Sequence, residues 1–285
     1  MLFLHSCYIP RDMLQLGMFV IANSAEKAVS GLDAQALPTT IRKAILLYPV
    51  TDVGGKQMAG YILCILITLV MPVLLTAVMC MRMKTVKPAI FGTLCFLVSQ
   101  VFTRLPILQN VLPKSAGYAI FRMKHPLCYM LMLALSAGVF EECGRWLFMR
   151  VGKIESAVNG VLFGFCHGGV EALLFVGIPA LRLLFTPQDE WPGAVNFSLA
   201  ATERVFAIVV HVGLSLLVLS GVERRKKQLL LLAILLHTLL DFGVVYGGSA
   251  GIGSWTIEIM AAAYSAGILL LSSYVYVIGK GHDYK

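Results

Sequence analysis

Long apolar runs separated by short polar segments dominate the chain. Seven runs are each close to the ~20 apolar residues that a bilayer-spanning helix requires. They extend over residues 59–81, 88–105, 126–149, 156–178, 201–220, 228–247 and 254–278. The pattern predicts an all-α protein, a polytopic transmembrane bundle of about seven spans. Pro72, inside the first run, predicts a kink in its helix.

Composition agrees with a membrane protein. Hydrophobic residues make up 58% of the chain and charged residues only 13%, whereas a soluble domain is about 25% charged. The net charge of +8 comes from basic residues in the loops between runs, a distribution that membrane topology produces. We therefore expect contact with the lipid bilayer and no nucleic-acid partner. Seven cysteines without a Cys-x-x-Cys pair indicate neither a disulfide framework nor a thiolate metal site.

The two ends of the chain differ from its centre. Residues 1–58 predict an extramembrane or interfacial extension with a short helix near residues 42–48, and Met58 is an alternative start directly before the first run. Residues 59–278 then form the bundle and 279–285 a short cytoplasmic tail. The last three residues, Asp-Tyr-Lys, match the beginning of an epitope tag.

Basic residues predict the orientation. Residues 223–227 contain the strongest basic cluster, which places this loop and the C-terminus in the cytoplasm of a plasma-membrane protein. Residues 106–125 are an exception, since they predict a loop on the outer side that carries Lys114, Arg122 and Lys124.

Charged residues interrupt the third run. Glu141, Glu142 and Arg145 lie within it, and each charge at mid-membrane costs roughly 2.5–3.5 kcal/mol on insertion scales. A structural ion pair is the simplest explanation, because both spacings, i,i+3 and i,i+4, bring a glutamate to Arg145 on a helix. Adjacent residues point about 100° apart, so one glutamate is left for another role.

Histidines in the next three runs lie at the same depth as these glutamates. Counted from the cytoplasmic end at ~1.5 Å per residue, His167, His211 and His237 are all about 12–17 Å deep. Unrelated core residues would scatter in depth, so we expect the histidines and the glutamates to meet. Asp241 lies one helical turn beyond His237 on the same face.

Further polar residues follow the histidines at the same spacing. Glu171 lies one turn beyond His167, where it would orient the imidazole ring, and Ser215 lies one turn beyond His211. The adjacent Glu203 and Arg204 predict a structural or interfacial pair near the outer end of the fifth run.

Small residues in the fourth run predict close helix packing. Gly160, Gly164 and Gly168 recur at a spacing of four, which lets another helix approach closely. The third run, joined to the fourth by a short loop, is the expected partner.

Two chemistries suit this set of polar groups. A glutamate beside imidazoles can activate water as a general base. Three imidazoles and a carboxylate also form a possible tetrahedral zinc site, with the ligands His167, His211, His237 and Glu142. The sequence contains no His-Glu-x-x-His motif.

Three spaced motifs resemble a known superfamily. Glu141-Glu142-x-x-Arg145, Phe163-x-x-x-His167 and His237-x-x-x-Asp241 are similar to the motifs of CAAX proteases and bacteriocin-processing proteins, to which the PrsW proteins are related. The stretch 164–171, the pair 203–204 and His211 most resemble the YhfC group of bacterial membrane peptidases. The resemblance covers roughly residues 59–278.

The resemblance implies an intramembrane endopeptidase. Glu141 and His167 would activate water, Glu142 and Arg145 would shape the site, and His237 would bind the oxyanion with residue 241. Members of the superfamily often have asparagine at this position. An ionised Asp241 cannot donate a hydrogen bond to an oxyanion. This favours a role for Asp241 in orienting the ring of His237.

The substrate would be a membrane-embedded or lipid-anchored peptide or protein. The superfamily has been interpreted both as glutamate proteases and as metalloproteases, and the additional His211 favours a divalent metal, zinc first. A proton- or cation-coupled transporter and a non-catalytic scaffold or immunity protein remain alternatives.

Overall fold

The computed structural model describes residues 50–185 and 191–282. The predicted helix near residues 42–48 and the last three residues lie outside the described ranges, and so does most of the N-terminal extension. The division into extension, bundle and tail therefore stays a prediction.

Seven helices among the described residues are long and apolar enough to cross a membrane, which confirms the predicted all-α bundle. They are α1 (Gly55–Met83), α2 (Lys87–Lys114), α3 (Pro126–Val151), α4 (Ala157–Phe185), α5 (Ala194–Glu223), α6 (Lys227–Ser249) and α7 (Ser254–Gly279). The helix of α1 begins at Val50, that of α7 continues to His282, and a short helix, Ala116–Lys124, joins α2 to α3. The described part of the chain contains no strand.

Several spans contain wider π-helical turns. These segments are Leu66–Val70 in α1, Leu97–Arg104 and Ile107–Val111 in α2, and Leu173–Gly177 in α4. The turn in α1 ends directly before Met71 and Pro72, as expected where a proline removes a backbone donor from the helix. The π-helical turn beside Pro72 is consistent with the predicted kink, which stays a prediction.

The segment predicted as an outer loop, residues 106–125, is mostly helical. The span α2 continues to Lys114, and Ser115 then caps the short helix by accepting a hydrogen bond from the backbone N–H of Tyr118. The predicted end of the span at residue 105 came too early, because polar residues such as Gln100 and Arg104 make this part of the run less apolar. Both side chains are buried, so they belong to a span that faces the bundle interior.

The fifth span is the central helix of the bundle. It packs against α1, α3, α4, α6 and α7. A helix that is apolar on all sides is expected to be surrounded by protein, and the side chains of Leu214, Leu217 and Leu219 in α5 are fully buried. Buried polar side chains in the middle of α5, such as Glu203, Arg204 and His211, therefore face other helices.

The three glycines of α4 allow close packing against α5. A Cβ atom added at Gly164 would lie 2.6 Å from the carbonyl oxygen of His211, and one at Gly168 would lie 2.9 Å from its ring. At Gly160 the nearest atom, at 2.8 Å, belongs to Leu219. The expected partner, α3, was wrong: proximity along the chain favoured it, but α3 packs mainly against α6, where Gly138 gives close access to Thr238.

Candidate active site

The charged motif of α3 is buried in the bundle. The side chains of Glu142 and Arg145 are 0% exposed and lie 3.5 Å apart, Oε2 to Nη1. The carboxylate of Glu141 makes its contacts with α2 and α4 instead. One glutamate thus pairs with the arginine while the other is available, as the spacing predicted.

Residues of α2 and α4 hold the carboxylate of Glu141. Its Oε2 lies 3.0 Å from Nε2 of His167, and its Oε1 accepts a hydrogen bond from the amide of Gln100. The amide oxygen of Gln100 accepts in turn from Nη1 of Arg104, at 3.0 Å. Since Arg104 also donates to the backbone oxygen of Leu133 at 2.8 Å, this chain of contacts fixes the orientation of Glu141.

Sequence reasoning missed Gln100 and Arg104. Neither residue lies in a motif, and both lie at the polar end of an apolar run that appeared too short. Their i,i+4 spacing was the available signal, because it places both side chains on one helical face.

The ring of His211 lies between the carboxylate of Glu171 and the guanidinium of Arg145. Its Nε2 is 2.6 Å from Oε2 of Glu171, and its Nδ1 is 3.0 Å from Nη2 of Arg145. An arginine only donates, so Nδ1 carries the lone pair and Nε2–H donates to Glu171. Glu171 was predicted to orient His167; it orients His211 instead, because α4 and α5 are in close contact at the glycines.

The neighbouring Arg204 is shared between two carboxylates. It donates to Glu171 at 2.7 Å and to Glu203 at 2.6 Å. Both Glu203 and Arg204 are buried. Of the two predicted alternatives, the structural pair is observed, whereas the interfacial position was wrong, since α5 begins at Ala194 and places the pair well inside the span.

The third histidine makes a separate set of contacts. Nδ1 of His237 lies 2.8 Å from Oε1 of Glu142, and Nε2 lies 3.7 Å from Oδ2 of Asp241. The rings of His237 and His211 are 5.8 Å apart. The motifs of α3, α4, α5 and α6 therefore meet in one site, as their common depth predicted.

Several buried side-chain atoms in and around the site have no hydrogen-bond partner among the described residues. They include Nδ1 of His167 and Oγ of Ser215. The ring of His167 packs edge-on against Phe96, with centroids 5.4 Å apart. Ser215 was expected one turn from His211 as a supporting polar group, but its hydroxyl makes no hydrogen bond to that ring.

Three side chains are arranged as a possible metal site. One donor atom from each of Glu141, His167 and His211 lies within 4.8 Å of the others. Ligands of a tetrahedral zinc site, at ~2.0–2.2 Å from the ion, are about 3.4 Å from one another. The distances of 3.0 Å from Glu141 Oε2 to His167 Nε2 and 3.9 Å to His211 Nδ1 fit such a site.

The tautomer of His211 and the neighbouring Arg145 also affect whether a metal fits this site. The tautomer that Glu171 imposes leaves the lone pair of His211 Nδ1 facing Glu141. However, Arg145 donates a hydrogen bond to the same nitrogen, and this bond would have to break before a metal could bind there. This group differs from the predicted ligand set in two members, since Glu141 takes the place of Glu142 and His237 lies outside it.

Comparison with known proteins decides the family. The model of the YhfC intramembrane metalloprotease family matches residues 65–189 and 187–261. The chain belongs to the YhfC family. A curated relative, the uncharacterized membrane protein YhfC of Bacillus subtilis (strain 168), is 34% identical over 179 residues, which cover 50% of this chain and 67% of that protein. No solved structure matches the chain.

Family membership confirms the resemblance found in the motifs. The protein is a multi-pass membrane enzyme of the intramembrane metalloprotease type, and all its motif residues lie within the matched range. Which end of the bundle faces the cytoplasm stays a prediction.

A cavity of about 170 Å³ gives access to the YhfC site. Its polar lining residues include Glu141, His211, His237 and Asp241. Most of its surface is apolar, with contributions from Phe175, Phe206, Leu240 and Val244. The lining residues of α5 run from His211 back to Glu203 and those of α6 from His237 to Val244, in both helices away from the loop at 223–227, so the cavity extends from the histidines towards the opposite end of the bundle.

Proposed function

We propose that the protein is an intramembrane endopeptidase that hydrolyses peptide bonds of membrane-embedded or lipid-anchored proteins with a divalent metal, zinc first. The observation that carries this proposal is the group of Glu141, His167 and His211, of which Glu141 and His211 line the cavity. Two nitrogen ligands and one carboxylate are a donor set that zinc accepts. A cavity whose surface is mostly apolar, with a few polar groups at the site, suits a hydrophobic peptide.

Three residues would hold the metal and others would support them. When bound, a divalent metal supplies Lewis-acid polarisation and a more acidic water. Glu171 fixes the tautomer of His211, and Gln100 fixes the rotamer of Glu141. Both contacts orient a metal ligand, and the acceptance of the His211 N–H by Glu171 also raises the basicity of that imidazole.

His237 is suited to hold and transfer a proton at Nε2. Glu142 accepts from its Nδ1–H, so the opposite nitrogen faces the cavity beside Asp241. A protonated His237 would donate a hydrogen bond to the developing oxyanion. It would then transfer this proton to the leaving amine. Asp241, as an ionised carboxylate, accepts only, which suits it to orienting this ring.

Two contacts favour the metal-independent alternative. Arg145 already donates to Nδ1 of His211, and His167 contacts Glu141 directly. In this mechanism Glu141 takes the proton of the attacking water as general base, and His167 holds its carboxylate in place. The substrate and the products would be the same.

The test compares wild-type protein with Glu141→Gln and with Glu155→Gln, a matched change at an exposed loop residue. The membrane proteomes of cells that carry wild type or Glu155→Gln should contain the same cleavage fragments. These fragments should be absent from cells that carry Glu141→Gln. Purified wild type should contain metal in stoichiometric amount. Fragments from Glu141→Gln cells would reject the assignment, and ion-dependent flux without fragments would support the transporter alternative.

Metal content separates the two mechanisms. Metal bound by wild type and lost in His211→Ala would support the metalloprotease. A metal-free protein that still cleaves would support the glutamate mechanism and would leave the peptidase function unchanged.

A further inference from the structure

Glu258 is a buried carboxylate that neither the motifs nor the proposed chemistry uses. It lies one turn into α7, is 5% exposed and lines the cavity. Its Oε2 has no hydrogen-bond partner among the described residues. The cavity is thus lined by a buried carboxylate oxygen without a partner among these residues.

The other carboxylates of the cavity are all in contact with a basic or amide group. Glu141 contacts Gln100 and His167, Glu171 contacts Arg204 and His211, Glu203 contacts Arg204, and Asp241 faces His237. No ion pair joins Glu258 to a cation in the described part of the chain. Glu258 is therefore the carboxylate of this cavity for which a ligand could supply the counter-charge.

The cations near the cavity are already engaged. Arg204 is shared by two carboxylates, and Arg104 donates to Gln100, to the hydroxyl of Ser136 and to a backbone oxygen. Among the lining residues, carboxylates outnumber arginines by five to one. The arginine is Arg104, and the carboxylates are those of Glu141, Glu171, Glu203, Asp241 and Glu258. Such a surface attracts cations and repels anions.

An unpaired carboxylate is costly to bury, whereas one paired with a hydrogen-bonded cation is tolerated. The apolar part of the cavity, with Phe206 and Val244, can cover the aliphatic part of a long basic side chain. Lysine and arginine combine such a stem with a charged end. The cavity therefore offers complementary surfaces to both halves of a basic side chain.

We infer that Glu258 is a specificity residue that binds the cationic end of a lysine or arginine side chain of the substrate, within the cavity that holds the hydrolytic site. The inference rests on the proposed function, because it assumes that a peptide enters this cavity. It narrows the substrate class to membrane peptides with a basic residue near the cleaved bond.

The test measures binding of two peptides to full-length protein in phosphatidylcholine nanodiscs. Both are leucine-alanine peptides long enough to span a bilayer; one has a central lysine and the other the neutral isostere norleucine. The protein carries Glu141→Gln, so that the proposed hydrolysis does not consume the probe. We expect about tenfold or tighter binding of the lysine peptide, the effect of one charged hydrogen bond.

Substitutions of Glu258 in the same background identify the residue responsible. Glu258→Gln should bind both peptides equally, while its affinity for the norleucine peptide stays that of the parent and reports an intact fold. Glu258→Asp keeps the charge and should retain part of the preference. Glu155→Gln, which removes a charge outside the cavity, should retain all of it.

Each result has a distinct meaning. Equal affinities in the parent, or a preference that survives Glu258→Gln, would overturn the inference and leave the peptidase proposal standing. A lysine preference that depends on Glu258, in a protein whose wild type never cleaves, would overturn the peptidase proposal and leave the cation site standing.

Discussion

Glu171 of α4 accepts a hydrogen bond from the ring of His211 on α5 over 2.6 Å. The contact is possible because Gly164 and Gly168 bring the two helices together on this face. It determines which nitrogen of His211 carries a lone pair, and that nitrogen faces Glu141. A residue outside the three-residue group thereby affects whether this group can bind a metal.

Glu171→Gln should weaken metal binding without removing any ligand. An amide can still accept from His211 Nε2–H, but it no longer stabilises positive charge on the ring, and loss of such partners typically reduces metal affinity by about 10–100-fold. Competition with a chromogenic chelator measures the zinc affinity. Glu155→Gln is the control, and an unchanged affinity in Glu171→Gln would show that Glu171 does not tune the site.

His237→Gln should separate proton transfer from metal binding. His237 contacts Glu142 and Asp241 and lies outside the group formed by Glu141, His167 and His211. We expect the variant to keep its metal content while turnover falls by about 100-fold or more, the range of general acid–base catalysis.

Metal analysis and cleavage assays on the same preparation check this prediction, and His211→Ala, which should lose metal, is the comparison. Parallel loss of metal in His237→Gln would make His237 a ligand, as the sequence had suggested.

The sequence predicted the composition of the site better than its contacts. Charges inside apolar runs are costly, so Glu141, Glu142 and Arg145 stood out, and depth along a straight helix is simple arithmetic. Depth does not give rotation about the helix axis or the identity of the neighbouring helix. Glu171 was therefore assigned to the histidine of its own helix, although its partner is on α5.

Residues outside the charged motifs were the hardest to predict. Glu258 lies near the start of the last apolar run, where a carboxylate is typical of the membrane surface. Gln100 is uncharged and costs little to place in a span. Their roles depend on the cavity formed by several helices, and that cavity has no signature in any single segment.

Arg145→Met should destabilise the protein strongly. Arg145 is fully buried and its removal leaves Glu142 without its cation at the centre of the bundle. Breaking a buried pair from one side typically costs about 3–5 kcal/mol. We expect a large drop in the thermal unfolding temperature in detergent, whereas Arg150→Met, at an exposed position of the same helix, should have little effect.

The double variant Arg145→Met/Glu142→Gln tests the cause. Removal of the unpaired charge should restore part of the lost stability. If the double variant is no more stable than Arg145→Met alone, the loss comes from the contacts of Arg145 with His211 and not from its pair with Glu142.

Gly164→Ala should affect both stability and metal binding. The added methyl group would lie 2.6 Å from the backbone oxygen of His211 and from the hydroxyl of Ser215, and 2.8 Å from Cα of Val212. Backbone atoms cannot rotate away, so α4 and α5 must separate, at a cost of about 1–3 kcal/mol for overpacking. The separation would also lengthen the contact between Glu171 and His211, and zinc affinity should fall with the unfolding temperature.

Gly267→Ala is the matched control, because Gly267 lies in helix α7 and an added methyl group meets no atom within 4 Å. Since alanine favours a helix over glycine by up to ~1 kcal/mol, this variant should be as stable as wild type or more so, with unchanged zinc affinity. Thermal unfolding and chelator competition on both variants decide the outcome. Normal zinc affinity in a destabilised Gly164→Ala protein would mean that the metal site does not depend on close packing of α4 against α5.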